Sequence, residues 1–282
     1  MRRSTALREM RAAARLDLAE VARSRWLLFC AGTYALVAGI FVLVGLREST
    51  LLGFTGMGRV LLSFCHALVL LLPLLALTAT SAVVNRARDE GTFELLFTQP
   101  LRRGAWFAAV SGVRLLALVA PLVLLMIGMG AVAGTVWRSE VPWPFLWRSV
   151  AVCAALLVCF AGIGTAISTF IRNPARATTY VILVWAASVA LLDFGLIGLM
   201  LRWQLDPQAT FTLAALNPVQ DARMALLSSL EPDLATFGPV GFYLANRVGG
   251  DALFALGVAW PAAVGVGAWG AALRRFRRGD LV

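Results

Sequence analysis

The sequence predicts an all-α integral membrane protein with six transmembrane helices, and three observations carry that prediction. Of its 282 residues, 60% are hydrophobic and 14% charged, with a mean hydropathy of +0.81, whereas soluble domains carry roughly 25% charged residues. Six apolar segments, near 26–46, 60–84, 106–136, 145–171, 177–201 and 251–273, are each long enough to cross a ~30 Å hydrocarbon core at ~1.5 Å per residue. The connections between them divide by arginine content, as the positive-inside bias requires.

Residues 1–25 read as a cytoplasmic amphipathic interfacial helix. Leu7, Met10, Ala14, Leu18 and Val21 recur at helical spacing, and Arg8, Arg11 and Arg15 share another face. Such a helix lies with its arginines among lipid phosphates. The stretch is too long and too charged for a signal-peptide n-region, and no small-residue cleavage site follows, so the first apolar run is expected to remain as a span. Residues 26–273 form the six-span domain, with a loop at 85–105 and an external segment at 202–250; residues 274–282 form a cytoplasmic basic tail. The N-terminal segment, the 85–105 loop, the Arg172-Asn173-Pro174-Ala175-Arg176 turn and the Arg274-Arg275-Phe276-Arg277-Arg278 end carry most of the arginines. Both termini therefore belong in the cytoplasm, as an even number of spans also requires.

Helix packing is expected from Gly130 with Gly134, from Ala263 with Gly267, and from the small-residue end of the fourth span, Ala161 to Ser168. Pro73, Pro121 and Pro261 fall inside spans. In the external segment Asn217-Pro218 is a helix start, with asparagine as N-cap and proline at the first helical position. Val219, Arg223, Leu226 and Leu227 are expected on one side of that helix and Asp221 elsewhere.

Charge and residue usage exclude several functions. The formal net charge is +10 and all 25 basic residues are arginine; anionic headgroups account for that excess without nucleic acid. A phosphate-binding P-loop needs a lysine, so ATP-driven work requires a partner subunit. Cys30, Cys65, Cys153 and Cys159 lie in apolar runs without C-x-x-C spacing, which indicates neither a disulfide framework nor a zinc site. Cys65 with His66, and Cys153 with Cys159, are soft-ligand candidates for Cu(I), weighed against packing, the commoner role of buried Cys. An intramembrane enzyme would need a constellation, and His66 stands without an acidic or serine partner. Arg114 in the third span and Asp193 in the fifth are the intramembrane charges, of the kind that face an interior or a cavity.

The most informative stretch runs from Arg88 to Gly104, between the second and third spans. Gly91-Thr92 starts a short helix that Pro100 ends; Phe93, Leu96 and Phe97 share one face, and Glu90, Glu94 and Thr98 another. An aromatic knob with an acidic flank suits insertion into a cleft on a partner. The pattern R-D-E-G-T-F-E-L-L-F-T-Q-P-L-x-R-G resembles the hallmark of ABC-2-type transporter permeases, E-x-G-T-[LF]-E-x-L-L-x-x-P-[LV], through Glu90, Gly91, Thr92, Glu94, Leu95, Leu96, Pro100 and Leu101.

That resemblance implies a coupling helix at 88–100 docking in a groove of an ABC ATPase subunit. It implies two copies of that ATPase, which hold the ATP and Mg, and a second copy of this chain across the transport pathway. It further implies a multi-pass protein of the bacterial inner membrane, without a bound cofactor of its own, with a periplasmic accessory protein as a further partner. Glu90, Gly91, Thr92, Phe93, Glu94, Leu96, Phe97 and Pro100 are the expected coupling residues.

Leu52 to Thr55, Pro73 to Leu77, Leu96 to Gly104 and Asn217-Pro218 with Arg223 look like one subfamily, the permease of the nitrous-oxide-reductase maturation transporter. That implies export of a copper- or sulfur-related species. The chain departs from it at Gln220, where aspartate is common, and at Thr78-Ala79-Thr80-Ser81, which lacks an acidic residue. A drug, lipid or polysaccharide exporter of the same architecture is the alternative, and a passive scaffold would not require the loop motif.

Overall fold

Where no water is at hand, backbone N–H and C=O groups must be satisfied within the segment, and long apolar runs therefore become helices. The computed structural model describes residues 2–52, 56–98, 101–135, 141–191, 212, 215–229 and 249–278. These form α1 (Arg2–Arg23), α2 (Arg25–Leu52), α3 (Gly56–Thr80), α4 (Val83–Asp89), α5 (Thr92–Phe97), α6 (Arg103–Thr135), α7 (Trp143–Phe170), α8 (Pro174–Ala186, continuing as a π turn over Ala187–Leu191), α9 (Pro218–Ser228) and α10 (Gly250–Arg278).

Among the described residues, five helical stretches are long and apolar enough to cross a membrane: Arg25–Leu43, Leu61–Asp89, Arg103–Val132, Trp143–Phe170 and Gly250–Arg278. Of the expected span at 177–201, the part up to Leu191 is helical, as α8 and its π turn, and is not among those five stretches; its remainder, with Asp193, lies outside the described residues, as does most of 202–250.

The second span was expected as one continuous helix, and it breaks at Ser81–Ala82. The N-cap of α4 is Ala82, which has no side chain to cap with. Ser168 of α7 substitutes for it, its Oγ accepting from Val84 N–H at 2.8 Å and Asn85 N–H at 3.4 Å. The orphan donors of a helix start are thus satisfied by a neighbouring helix.

The core is a contiguous apolar cluster from α2, α3, α6, α7, α8, α9 and α10. The most extensive helix pair is α7 with α10, and glycine explains it. A Cβ on Gly162 would lie on the Gly265 backbone, and one on Gly265 would lie 2.6 Å from Cys159 Cα, so the two helices touch backbone to backbone. On α10 the buried line is Gly257, Pro261 and Gly265, at fourfold spacing. The pair expected from the sequence, Ala263 and Gly267, is a correction: both are exposed, and nothing lies near Gly267. The pattern was right in kind and two residues out in register. Gly130 and Gly134 do meet neighbours, the Trp143 and Leu146 side chains and Val141, where α6 turns back into α7. The helices continue through Pro73, Pro121 and Pro261.

Helix α1 packs along α6. Its inward line is Ala13, Asp17 and Val21, with Met10 and Ala14 beside it. Leu18, expected on the apolar face, is 46% exposed. The line shifts because Asp17 is drawn inward to Arg114 of α6, at 3.3 Å, with Glu20 at 3.9 Å from the same guanidinium. The four cysteines are buried and unpaired.

Candidate functional site

The loop between α3 and α6 folds as two short helices at an abrupt turn. Gly91 makes the turn, with φ of +67° in the left-handed region, where a side chain costs roughly 1–2 kcal/mol. Its N–H donates to Arg88 C=O at 3.1 Å, closing the end of α4 as a C′ glycine does. Its own C=O accepts from Glu94 N–H at 3.1 Å and Leu95 N–H at 3.4 Å, opening α5. One residue terminates a helix and starts the next.

The expected aromatic knob is corrected by the placement of Phe93. Its ring is 4% exposed and faces inward, with centroids 5.1 Å from Trp106 and 5.6 Å from Phe276, both edge-on. Trp106 and Phe276 stack at 5.6 Å, and Phe276 also meets Phe107 at 5.1 Å. Four rings from α5, the start of α6 and the end of α10 thus form a second apolar cluster, with Leu96 and Leu101 packed at its edge. Each such pair contributes about 0.5–1.5 kcal/mol beyond area burial, and six residues of helix are too few to persist in water unaided. Phe93 therefore holds α5 on the bundle.

What α5 turns outward is Glu94, Leu95 and Thr98, continuous with Asp89 and Glu90 at the end of α4. Leu95 is 74% exposed. Gly91 and Thr92 are half-buried. The side chain of Phe97 and the whole of Pro100 lie outside the described residues. Among the described side chains the outward surface is therefore acidic with one large exposed apolar residue, Leu95.

Two further ties fix the surroundings. Arg102 N–H donates to Glu9 Oε2 at 3.3 Å, joining the loop to α1. The Arg277 guanidinium lies over Gly104, where a Cβ would come 2.6 Å from its Nε. Beneath α5, a cavity of about 520 Å³ opens between α1, α4 and α6, with Asp17, Glu20, Arg86, Glu90 and Arg114 among its lining. Burial pushes the Asp17 carboxyl above its ordinary value of 3.8, against the opposing pull of Arg114; among the described residues Asp17 Oδ2 and Arg114 Nε have no hydrogen-bond partner.

Of the soft-ligand candidates, Cys65 and Cys153 lie near one another in the main core. Among the described residues no group of three or more His, Cys, Asp or Glu side chains is placed to hold a metal. Cys65, Cys153 and Cys159 belong to the main core, and His66 faces Arg223 of α9.

Helix α9 starts as the sequence predicts. Asn217 Oδ1 accepts from Val219 N–H at 3.1 Å, and its Nδ2 donates to Ser188 C=O at 2.7 Å. The expected division of faces is corrected, because Asp221 is buried together with Val219, Ala222, Met224, Ala225, Leu226 and Leu227. Gly257 admits α9 so closely to α10 that a Cβ there would meet the Ala225 side chain and, at 2.8 Å, the Asp221 carbonyl. Among the described residues neither Asp221 carboxylate oxygen has a hydrogen-bond partner, and burial pushes the group up to about 7.

Sequence reasoning treated Phe276 as part of a basic tail and missed its role. A signal was present: Trp269 and Phe276 are seven residues apart with Ala272 and Leu273 between them, one face of a helix running on into the arginines.

The helices form a membrane-spanning bundle with a short helix seated at one end, and the chain belongs to the ABC-2 transporter family. The profile described as "ABC-2 family transporter protein" matches residues 11–281, and members of that family work with an ATPase partner. The chain is 27% identical over 233 residues to the probable ABC transporter permease protein NosY of Stutzerimonas stutzeri, covering 80% of this chain and 83% of that protein. It is 28% identical over 225 residues to the probable NosY permease of Pseudomonas aeruginosa (strain PAO1), covering 77% and 81%.

Proposed function

We propose that this chain is the permease subunit of an ATP-driven exporter of the inner membrane, with both termini in the cytoplasm. Two copies form the pathway at their interface, and two ATPase subunits dock from the cytoplasm. The observation that carries the reading is the division of α5 into two faces. Phe93 seats it in the bundle, while Glu94, Leu95 and Thr98 face outward beside Glu90. A docking element must be rigidly seated to receive force and chemically open to be gripped, and α5 has both properties. ATP binding closes the ATPase pair, moves the two α5 helices, and shifts the spans between inward-facing and outward-facing states by rocking.

The cargo is a copper- or sulfur-related species exported for nitrous oxide reductase maturation. The loop and Asn217-Pro218 resemblance supports this, as does the similarity to two proteins named as NosY permeases. Purification of the tagged chain from its native membranes tests the transporter reading: co-elution of an ABC ATPase, and its loss in Glu94→Arg, is the expected result. Absence of any ATPase, together with intact export in Glu94→Arg, refutes it. The cargo is tested by the copper and sulfide content of nitrous oxide reductase from cells lacking this chain, where an unchanged content refutes the assignment.

A further inference from the structure

We infer that α10, the last span, receives coupling-helix motion, and that Phe276 is the positioning residue that passes it on. The inference rests on the permease reading and adds the route. The covalent path from α5 back to the second span crosses two interruptions of helical hydrogen bonding, at Gly91 and at Ser81–Ala82. A displacement of α5 is therefore poorly transmitted along the chain to α3.

The non-covalent path has no such gap between Phe93 and Gly265, and it loses one backbone hydrogen bond beyond that, at Pro261. The Phe93 ring rests on Trp106 and Phe276, and Phe276 is 1% exposed and touches three rings. Interiors packed at this density transmit displacement rather than absorb it. Phe276 lies near the end of α10, a helix of 29 residues that continues through Pro261 to Gly250. Gly265 holds it against Gly162 of α7, and Gly257 holds it against α9. Gly257 lies about 29 Å along the axis from Phe276, at ~1.5 Å per residue. Movement applied at α5 thus arrives at α9, in the segment expected outside the membrane, by way of α10.

A coupling route needs measured coupling and not adjacency alone. The complex with its cognate ATPase is reconstituted in nanodiscs with spin labels at Thr135→Cys and Ala252→Cys, both exposed positions; the four native thiols are buried and stay unlabelled. The wild-type pairing shows an ATP-dependent distance change. Phe276→Ala keeps ATPase binding within about twofold, because its ring faces only this chain, and reduces the population that responds to ATP by about fivefold or more, in the range of allosteric coupling. Phe276→Leu, which retains most of the apolar volume, is the same test should the alanine variant fail to fold. A purely structural role would lower thermal stability and leave the ATP response of the folded complex unchanged, and that result overturns the inference. A wild-type chain that binds no ATPase overturns the permease reading itself.

Discussion

Gly265→Ala and Gly267→Ala place the same methyl group two residues apart on the same helix, and the structure gives them opposite outcomes. At Gly267 a Cβ meets nothing within 4 Å, so only the helix-propensity gain of roughly 0.5–1 kcal/mol remains. At Gly265 the new carbon would overlap the Val158 carbonyl oxygen and sit 2.6 Å from Cys159 Cα, where ordinary carbon contacts need about 3.5–4.0 Å. The obstacles are backbone atoms, which no rotamer change removes, so α10 must move about 1 Å away from α7. Overpacking of this kind costs about 1–3 kcal/mol, and separation of the most extensive helix pair puts it at the upper end. Net of the propensity gain, Gly265→Ala is destabilised by about 2 kcal/mol. At about 2–4 °C per kcal/mol, its Tm in detergent falls by about 4–8 °C, while that of Gly267→Ala stays level or rises slightly. Equal Tm values for the two variants would refute the backbone-contact reasoning.

Two further predictions concern buried charge. Arg114→Met leaves Asp17, 7% exposed, without its cation and should destabilise the fold by about 3–5 kcal/mol; Asp17→Leu with Arg114→Met should recover most of that loss in the same thermal assay. For Asp221, the folded-state value of about 7 lies above its ordinary 3.8, so the folded protein holds a proton that the unfolded chain has released. Stability is therefore highest at low pH, falls as pH rises through that window, and levels off above about 7; Asp221→Asn should abolish this component of the Tm profile between pH 5 and 8.

The helical class and most of the spans were legible because apolar length is a one-dimensional property that lipid enforces on each segment separately. The Asn217 cap was legible for a similar reason: it requires only Asn217, Pro218 and Val219 in sequence. Contacts between distant segments were not. Phe93 was read as a knob for a partner because helical periodicity assigns a face without saying what lies against it, and its neighbours Trp106 and Phe276 come from two other helices. The Ser81–Ala82 break depends on a hydroxyl at Ser168, about 24 turns of helix away in sequence at ~3.6 residues per turn. Ala263 and Gly267 matched the small-residue pattern as well as Gly257 and Gly265 do, and only the neighbouring backbones decide between them.

The central claim is that a partner ATPase grips the outward face of α5, and site-specific photocrosslinking in native membranes tests it most directly. A photoreactive residue at position 95, in place of the exposed Leu95, should form a covalent adduct with an ABC ATPase. The same group at position 124, an equally exposed site on the apolar span α6, should not. Adducts from position 124 but not from position 95, or none with any ATPase from position 95, would contradict the account.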